Sequence, residues 1–469
     1  MFCQLDLLRQ CLPSSVRHTL EQLPESLDET YERIVMDIKK INKGQAYRML
    51  QCLAVAIRPL SVAELAELLA FEFDATNGGI PKLNAAWRWE DHEQAVLSTC
   101  SSLVTIVPAD GSQVVQFSHF SVKEFLLSDR LAKSTKDISL YHIALDDANT
   151  LISSACLGVL LQAPIDENGA ATAPLAEYAA EHWASHAQVE NVASRIRDGM
   201  ERLFDFDRPY FSAWVKLYDV DTFNNRELRS EMQPEAEPLY YAAFCGFHDI
   251  VEHLTLKFPQ HANVICGNAG TALHSASLAG RVQAVRSLLK CGADVDARGL
   301  WNQSPLQFAS WDGHLDVVQC LLDHGADAKF QDVNRRTPLS HAAENGHVET
   351  VRMLLEHNAD ANSQDKDGLT PMHGLLVHGE SKGGCTQVVR LLLEHGADPN
   401  ARDNKRRTPL HALSSSYLKS SFQLEIARIL LRYGADVDAE DEDGMTPLQV
   451  ALAEKEGELV ELLSEYCSK

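Results

Sequence analysis

Through the second half of the chain the apolar positions recur with a long period. A short helix-opening block returns as Pro238-Leu239-Tyr240-Tyr241-Ala242, Ala272-Leu273-His274-Ser275-Ala276, Pro305-Leu306-Gln307-Phe308-Ala309, Pro338-Leu339-Ser340-His341-Ala342, Pro371-Met372-His373, Pro409-Leu410-His411-Ala412 and Pro447-Leu448-Gln449-Val450-Ala451. Leu239 and Leu273 stand 34 residues apart, Leu306, Leu339 and Met372 follow at 33 each, and Leu410 and Leu448 at 38 each. A second motif answers the blocks as Gly292-Ala293-Asp294, Gly325-Ala326-Asp327, Asn358-Ala359-Asp360, Gly396-Ala397-Asp398 and Gly434-Ala435-Asp436. Between them run stripes of helical period, such as Val317-Val318 with Leu321-Leu322 and Val351 with Leu354-Leu355. Each unit therefore predicts two short helices.

The end signals agree with that assignment. Thr337, Thr370, Thr408 and Thr446 are placed to cap a helix, with proline next, where no amide is needed. Ala342, Ala343 and Ala412 are small enough to let this first helix press against its neighbour. Gly292, Gly325, Gly396 and Gly434 are predicted to end the second helix in the left-handed conformation, with Asn358 as the one substitute that tolerates it. One such unit cannot bury both its faces, so units must stack. Two local departures are expected. The first repeat has Pro259 in the glycine's place and so an irregular hairpin, and repeats five and six carry extra residues within Gly379–Gly384 and Ser414–Ser421.

The first half is helical with one hairpin. Ser26-Leu27-Asp28-Glu29 reads as a capping box opening a helix through about Asn42, with Ile34, Ile38 and Ile41 on one face. Ala46–Ile57 reads as a second helix, ended by Arg58-Pro59, and Ser61-Val62-Ala63-Glu64 caps a third over Leu65–Phe71. Ser102–Val107 and Val114–Phe117 flank the turn Pro108-Ala109-Asp110-Gly111, and Ser121-Val122-Lys123-Glu124 caps a further helix. Three short helices followed by a hairpin predict a winged helix. The fold class is thus mostly α: a small winged-helix domain over 1–135, an α-helical linker over 136–234, and a solenoid of about seven repeats over 235–469.

Composition narrows the partners. The 469 residues carry 42 basic against 66 acidic side chains, a net charge of −24, and each half of the chain carries the same excess, which repels a phosphate backbone. Eleven scattered cysteines without a Cys-x-x-Cys pair argue against a disulfide framework or a structural zinc site and for reduced thiols. With no long apolar run and no secretory leader pattern, the expectation is a soluble cytoplasmic protein.

The period and wording of the C-terminal array, Thr-Pro-Leu-His at Thr408–His411 included, resemble the ankyrin repeat. That resemblance implies a stack that binds proteins through hairpin tips and inner helices and has no chemistry of its own. Three strings, Leu23–Ile34, Arg58–Leu65 and Phe117–Leu126, resemble the winged-helix and linker region of fungal NACHT–ankyrin proteins, NLR-like members of the STAND class of signalling NTPases. A related winged helix occurs in proteins named after GPI inositol-deacylase, a name without catalytic implication here. The dipeptide Gly-Lys is absent, so no phosphate-binding loop of the G-x-x-x-x-G-K-[ST] type is present, and no G-x-G-x-x-G occurs. The resemblance implies the C-terminal part of such a receptor with its nucleotide-binding domain missing, a module to be met in cis or in trans.

Catalytic readings fail on chemistry. His182 and His186 have the spacing of zincin ligands, but Trp183 occupies the place of the general-base glutamate. Ser118-His119 suggests no triad, and His274, His373 and His411 are expected to tie adjacent hairpins together. A winged helix invites a nucleic-acid reading, which the acidic residues Glu64, Glu67 and Glu72, with Glu90, Asp91 and Glu93, oppose. No catalytic, cofactor-binding or metal-ligating residue is assigned. The expected function is non-enzymatic protein binding, as the sensor portion of a STAND-type receptor or as a stand-alone scaffold. The expected contact residues are at the hairpin tips: Leu300, Trp301 and Asn302; Asn334, Arg335 and Arg336; Lys366 and Asp367; Asn404, Lys405, Arg406 and Arg407; Glu442 and Asp443. They form two basic fingers, an acidic one and an apolar one.

Overall fold

Ser61 closes a strand and opens a helix at the same residue. Its hydroxyl accepts from Glu64 N, and the Glu64 carboxylate accepts from Ser61 N, a complete capping box for the helix Val62–Leu69. The computed structural model in which this is seen describes residues 27–38, 42–73, 80–88, 91–100, 102–109, 111–134, 137–162, 173–220, 237–378, 384–415 and 420–467. It divides into two compact units, Met1–Val220 and Asp221–Lys469.

In the first unit the hairpin pairs Val104–Ala109 with Ser112–Phe117. Pro108 and Ala109 therefore lie in the strand, where the sequence suggested turn residues, and the left-handed Gly111 closes a tighter connection. A third strand, Leu60–Ser61, adds to the free side of Ser112–Phe117. The first described helix ends earlier than expected, at Asp37, and buries Thr30, Tyr31 and Val35; of the expected face Ile38 is buried just beyond the helix and Ile34 is half-buried. Ser26 and Ile41 fall outside the described residues. The cap expected at Ser121 is supplied by His119, whose ring accepts from Ser121 N, while the Ser121 hydroxyl pairs with Tyr31 Oη at 2.7 Å.

Two acids thought to repel nucleic acid point inward. Glu64 takes both Arg58 guanidinium nitrogens at 3.0 and 2.7 Å, and Glu67 takes Arg88 and the amide of Leu175. Both are buried, so the charge argument against groove entry does not apply to this helix as framed; Glu72 alone of the three is exposed. The Glu67–Leu175 bond also joins the winged-helix segment to the helices Leu145–Leu160 and Ala176–Ala187 that pack beside it. There Trp183, Phe204, Phe211 and Trp214 form an aromatic core, with Trp214 Nε1 donating to Ala180 O. His186 is held in a buried relay. Ile57 N donates to Tyr178 Oη, which pairs with His186 Nε2 at 2.8 Å, while His186 Nδ1 meets Asn149 Oδ1 at 2.7 Å. Both ring nitrogens are occupied, which leaves no lone pair for a metal beside His182. Burial, then the neighbouring His182, pulls its pKa down to about 4.

The second unit is a stack of seven described helix pairs, whose first helices begin at Pro238, Ala272, Pro305, Pro338, Pro371, Pro409 and Pro447. Thr271, Ser304, Thr337, Thr408 and Thr446 cap them in capping boxes whose partner three residues on is His274, Gln307, Ser340, His411 or Gln449. Gly292, Gly325, Gly396 and Gly434 lie near φ 84 to 88° and Asn358 at 63°, ending the second helices as expected. Pro259 instead starts a short 3-10 turn after Lys257. Residues 379–383 and 416–419, within the two expected insertions, lie outside the described set.

Polar bridges cross the junctions between repeats, among them His314 to Leu278 O and His347 to Trp311 O, and two kinds recur at the hairpins. The first comes from the capping partner: His274 Nε2 reaches Gln303 O, Gln307 Nε2 reaches Arg336 O, His373 reaches Arg407 O and His411 reaches Met445 O, all within 2.7 to 3.1 Å. The second comes from the hairpin foot, where Asn263, Asp296, Asn362 and Asn400 accept from the amides of Asp294, Asp327, Asp398 and Asp436. Between the two hairpins that precede the fourth and fifth helix pairs, both are missing among the described residues. Ser340 is engaged with Thr337 inside its own turn, and Lys329 offers no acceptor to Asp360 N. Those hairpins keep the tip bond from Lys366 N to Asn334 O, a 3.3 Å contact between the Thr337 and Ser363 hydroxyls and a 3.9 Å ion pair from Arg336 to Asp365.

Two predictions follow from these bridges. The double variant Lys329→Asn, Ser340→His supplies both missing partners. At about 1 kcal/mol per new bond it is expected to raise Tm by roughly 2–4 °C for each, measured by calorimetry on the full chain; an unchanged Tm would show that these bridges do not limit stability. His274 is wholly buried and held neutral, its pKa pushed down to about 4 by burial against the opposing pull of the Gln303 and Ala297 carbonyls. In the unfolded chain an imidazole protonates near 6.5, so this contribution is fully present above pH 6.5 and is lost as pH falls toward about 4, on the order of 3 kcal/mol. His274→Gln keeps both bonds, as Gln307 already does with Ser304 N and Arg336 O. Urea titrations are expected to match wild type at pH 7.5 and to show a shallower loss below pH 6; parallel curves would sink the assignment.

Candidate functional site

Four of the five hairpin tips are folded around an aspartate, and Gly299 holds that position in the tip of Leu300, Trp301 and Asn302. Asp332, Asp365, Asp403 and Asp441 are buried, and each accepts through Oδ1 from the amides two and four residues ahead. These carboxylates are turn formers, which takes them out of the surface charge. The turn forces a left-handed residue three positions later. Gly368 and Gly444 meet that demand at φ 76 and 71°, whereas Asn302, Arg335 and Arg406 meet it at 54, 61 and 59°. Arginine in this region is strained by roughly 1–2 kcal/mol.

Neighbouring tips are hydrogen-bonded into one strip. Val333 N donates to Trp301 O, Lys366 N to Asn334 O, Asn404 N to Asp367 O and Glu442 N to Lys405 O, all within 2.9 to 3.2 Å. Side chains at equivalent positions therefore lie in columns along the stack. One column runs Leu300, Val333, Lys366, Asn404, Glu442, and the next runs Trp301, Asn334, Asp367, Lys405, Asp443.

The expected contact residues divide into two groups. Asn302 is held by Arg298 and Gln331 O, and Asn404 donates to Lys366 O. Arg336 is drawn to Glu344 at 3.2 Å, and Arg407 is clamped on Asp403 at 2.8 and 2.7 Å. These four serve the array. The other group is presented outward. Leu300 is 48% and Trp301 64% exposed. Asn334 is exposed too, though its carbonyl carries the strip. Arg335, Lys366, Asp367, Lys405, Arg406, Glu442 and Asp443 are exposed and make no side-chain hydrogen bond or ion pair among the described residues. The two basic fingers thus keep Arg335, Lys405 and Arg406 as their outward cations. Val333, 42% exposed beside Trp301, belongs to the apolar end and was overlooked. Reading the 33-residue columns vertically from Leu300 would have found it. Trp311 is a further exposed aromatic, on a first helix with its ring 5.2 Å from His341.

The buried residues of the strip hold its shape, and the outward ones change from apolar through basic to acidic along it. Such an arrangement can bind a complementary surface. Among the described residues no cluster of three or more metal-ligating side chains occurs, and no helix is long and apolar enough to cross a membrane.

Comparison with known proteins places both units. The family model described as ankyrin repeats (three copies) matches residues 217–299, 239–332, 306–403 and 376–469. The model described as the winged helix domain of GPI inositol-deacylase matches residues 31–137. A curated relative, the azaphilone pigments biosynthesis cluster protein L of Monascus ruber, is 31% identical over 296 residues, which make up 59% of this chain and 61% of that protein. The chain thus spans somewhat under two thirds of that relative's length. Among solved structures, the ankyrin repeat domain of Bcl-3 is 27% identical over 49% of this chain and all of its own, with a TM-score of 0.42. An ankyrin repeat domain from Acinetobacter baumannii is 33% identical over 42% of this chain and 98% of its own, with a TM-score of 0.38. The repeat model alone spans more than half of the residues, and the chain belongs to the ankyrin-repeat family.

Proposed function

We propose that the chain is a non-enzymatic interaction protein of the cytoplasm whose ankyrin unit grips a protein ligand with the tips of repeats three to seven. The observation that carries this is the hydrogen-bonded tip strip, which fixes the backbone while Leu300, Trp301 and Val333 remain exposed at one end. A rigid apolar patch next to a polar rim is what a protein partner buries. Domain boundaries near 135 and 234 fit this division of labour, with the winged-helix segment and the helices after it serving as an adaptor. In a receptor of the STAND type, that adaptor would hold or release a nucleotide-binding module, in cis or in trans, according to the occupancy of the repeats; sequencing transcripts upstream of Met1 tests for such a module. A stand-alone scaffold uses the same tips without that output, and nucleic acid has no place in either version.

The test is affinity purification of the tagged full chain with quantitative mass spectrometry of what it retains. Trp301→Ala is expected to reduce recovery of the ligand roughly tenfold or more, as for a central aromatic anchor. Arg352→Glu, on a second helix away from the tips, is expected to leave it unchanged. A ligand recovered equally well by both variants would remove the tips from the function.

A further inference from the structure

We propose that Arg335 and Arg406 are an acid-binding pair, and that the segment they receive is an acidic stretch of a partner protein carrying one aromatic or large aliphatic residue for the Leu300, Trp301 and Val333 patch. This rests on the reading of the strip as a protein-binding surface and adds the chemistry of the partner.

Backbone strain is the first argument. At one and the same position of the repeat, two tips use glycine and two use arginine in a left-handed conformation that opposes a side chain. Asn302, the other non-glycine, is of the type that tolerates this region, and its side chain is tied to Arg298 and Gln331. The Asp332 and Asp403 turns impose that conformation, and Arg335 and Arg406 have no side-chain partner within the described residues to offset it. A strained arginine whose side chain is left unused, where glycine serves two other tips, points to an external ligand.

Charge is the second argument. In a chain of net charge −24 the outward side chains of the fourth and sixth tips are cationic, because Asp332 and Asp403 turn their carboxylates onto backbone amides. Arg335, Lys366, Lys405 and Arg406 then face solvent along one strip, with Asp367 as the only acid among them. A guanidinium fork matches a carboxylate with two parallel hydrogen bonds. The strip ends on Glu442 and Asp443, which repel an acidic chain and so limit how far it extends toward the last repeat.

Spacing is the third. At about 8–10 Å per stacked repeat, Arg335 lies one step and Arg406 three steps from Trp301. An extended chain at about 3.3–3.6 Å per residue would carry acids roughly three and eight residues from its apolar anchor. A phosphate backbone offers the guanidinium similar oxygens, but it has no use for the apolar end and meets the acidic tip throughout.

The experiment is a selection of random peptides about sixteen residues long on the immobilised full chain, with the double variant Arg335→Gly, Arg406→Gly as comparison. Enriched peptides are expected to combine an aromatic or aliphatic residue with aspartate or glutamate about three to eight residues away. They should bind the double variant about five- to tenfold more weakly, a difference that shrinks at about 0.5 M salt. The variant's Tm should stay level or rise by up to about 3 °C, because glycine relieves the left-handed strain. A fall of several degrees would make the arginines structural and overturn the proposal. Peptides without acidic enrichment, or bound equally by both proteins, overturn acid recognition while leaving the protein-binding reading intact. Failure to enrich any peptide overturns both readings. Tighter binding of a sixteen-nucleotide single strand that the double variant loses reassigns the pair to phosphate and equally overturns it.

Discussion

A pair of helices six to thirteen residues long cannot cover its own apolar stripe, and everything in the second unit follows from that shortage. Leu239, Leu273, Leu306, Leu339, Met372 and Leu410 are completely or almost completely buried only because the neighbouring pair lies over them. Val285, Val318, Val351 and Val389 do the same on the second helices. Contacts between consecutive repeats therefore set the stability, and a change at one junction is felt chiefly by its two neighbours.

Apolar stacking has no direction, so register falls to the polar groups. A histidine or glutamine at the third helical position closes its own cap with one end and bonds the next hairpin with the other. The arrangement satisfies two otherwise buried backbone groups at once and ties capping of one repeat to placement of the next. Ser340 is long enough for the first task and too short for the second, and Lys329 drops the hairpin bridge at the same junction. The hairpins before the fourth and fifth helix pairs are thus joined mainly by packing, by the tip strip and by the Arg336–Asp365 ion pair, and lack both bridges that their neighbours have.

The hairpins separate shape from recognition by burying one charge and exposing another. Asp332, Asp365, Asp403 and Asp441 organise four tips in the same way, whatever stands beside them. With the turn held by a buried carboxylate, the outward positions of these four tips are free to vary from valine to lysine to glutamate without altering the hydrogen-bond pattern. The first unit uses buried acids similarly. Glu64 and Glu67 hold Arg58, Arg88 and the amide of Leu175, and their charge serves cohesion where the sequence suggested surface repulsion.

Much of this was legible along the chain. Repeat period, threonine caps, glycine stops and the Ser61 capping box are local signals, governed by backbone preferences that act within a few residues, and the structure places them where the sequence did. What residue order alone could not decide was which way a charged side chain turns. Arg336 and Arg407 read like Arg335 and Arg406 in sequence, yet one pair is held by Glu344 and Asp403 and the other faces outward. The spacing of His182 and His186 said nothing of Tyr178 and Asn149, which occupy the two ring nitrogens of His186. The third strand at Leu60 and the place of Val333 beside Trp301 have the same origin. Partners distant in sequence compete for each polar group, and only the folded chain determines which of them arrives within hydrogen-bonding distance.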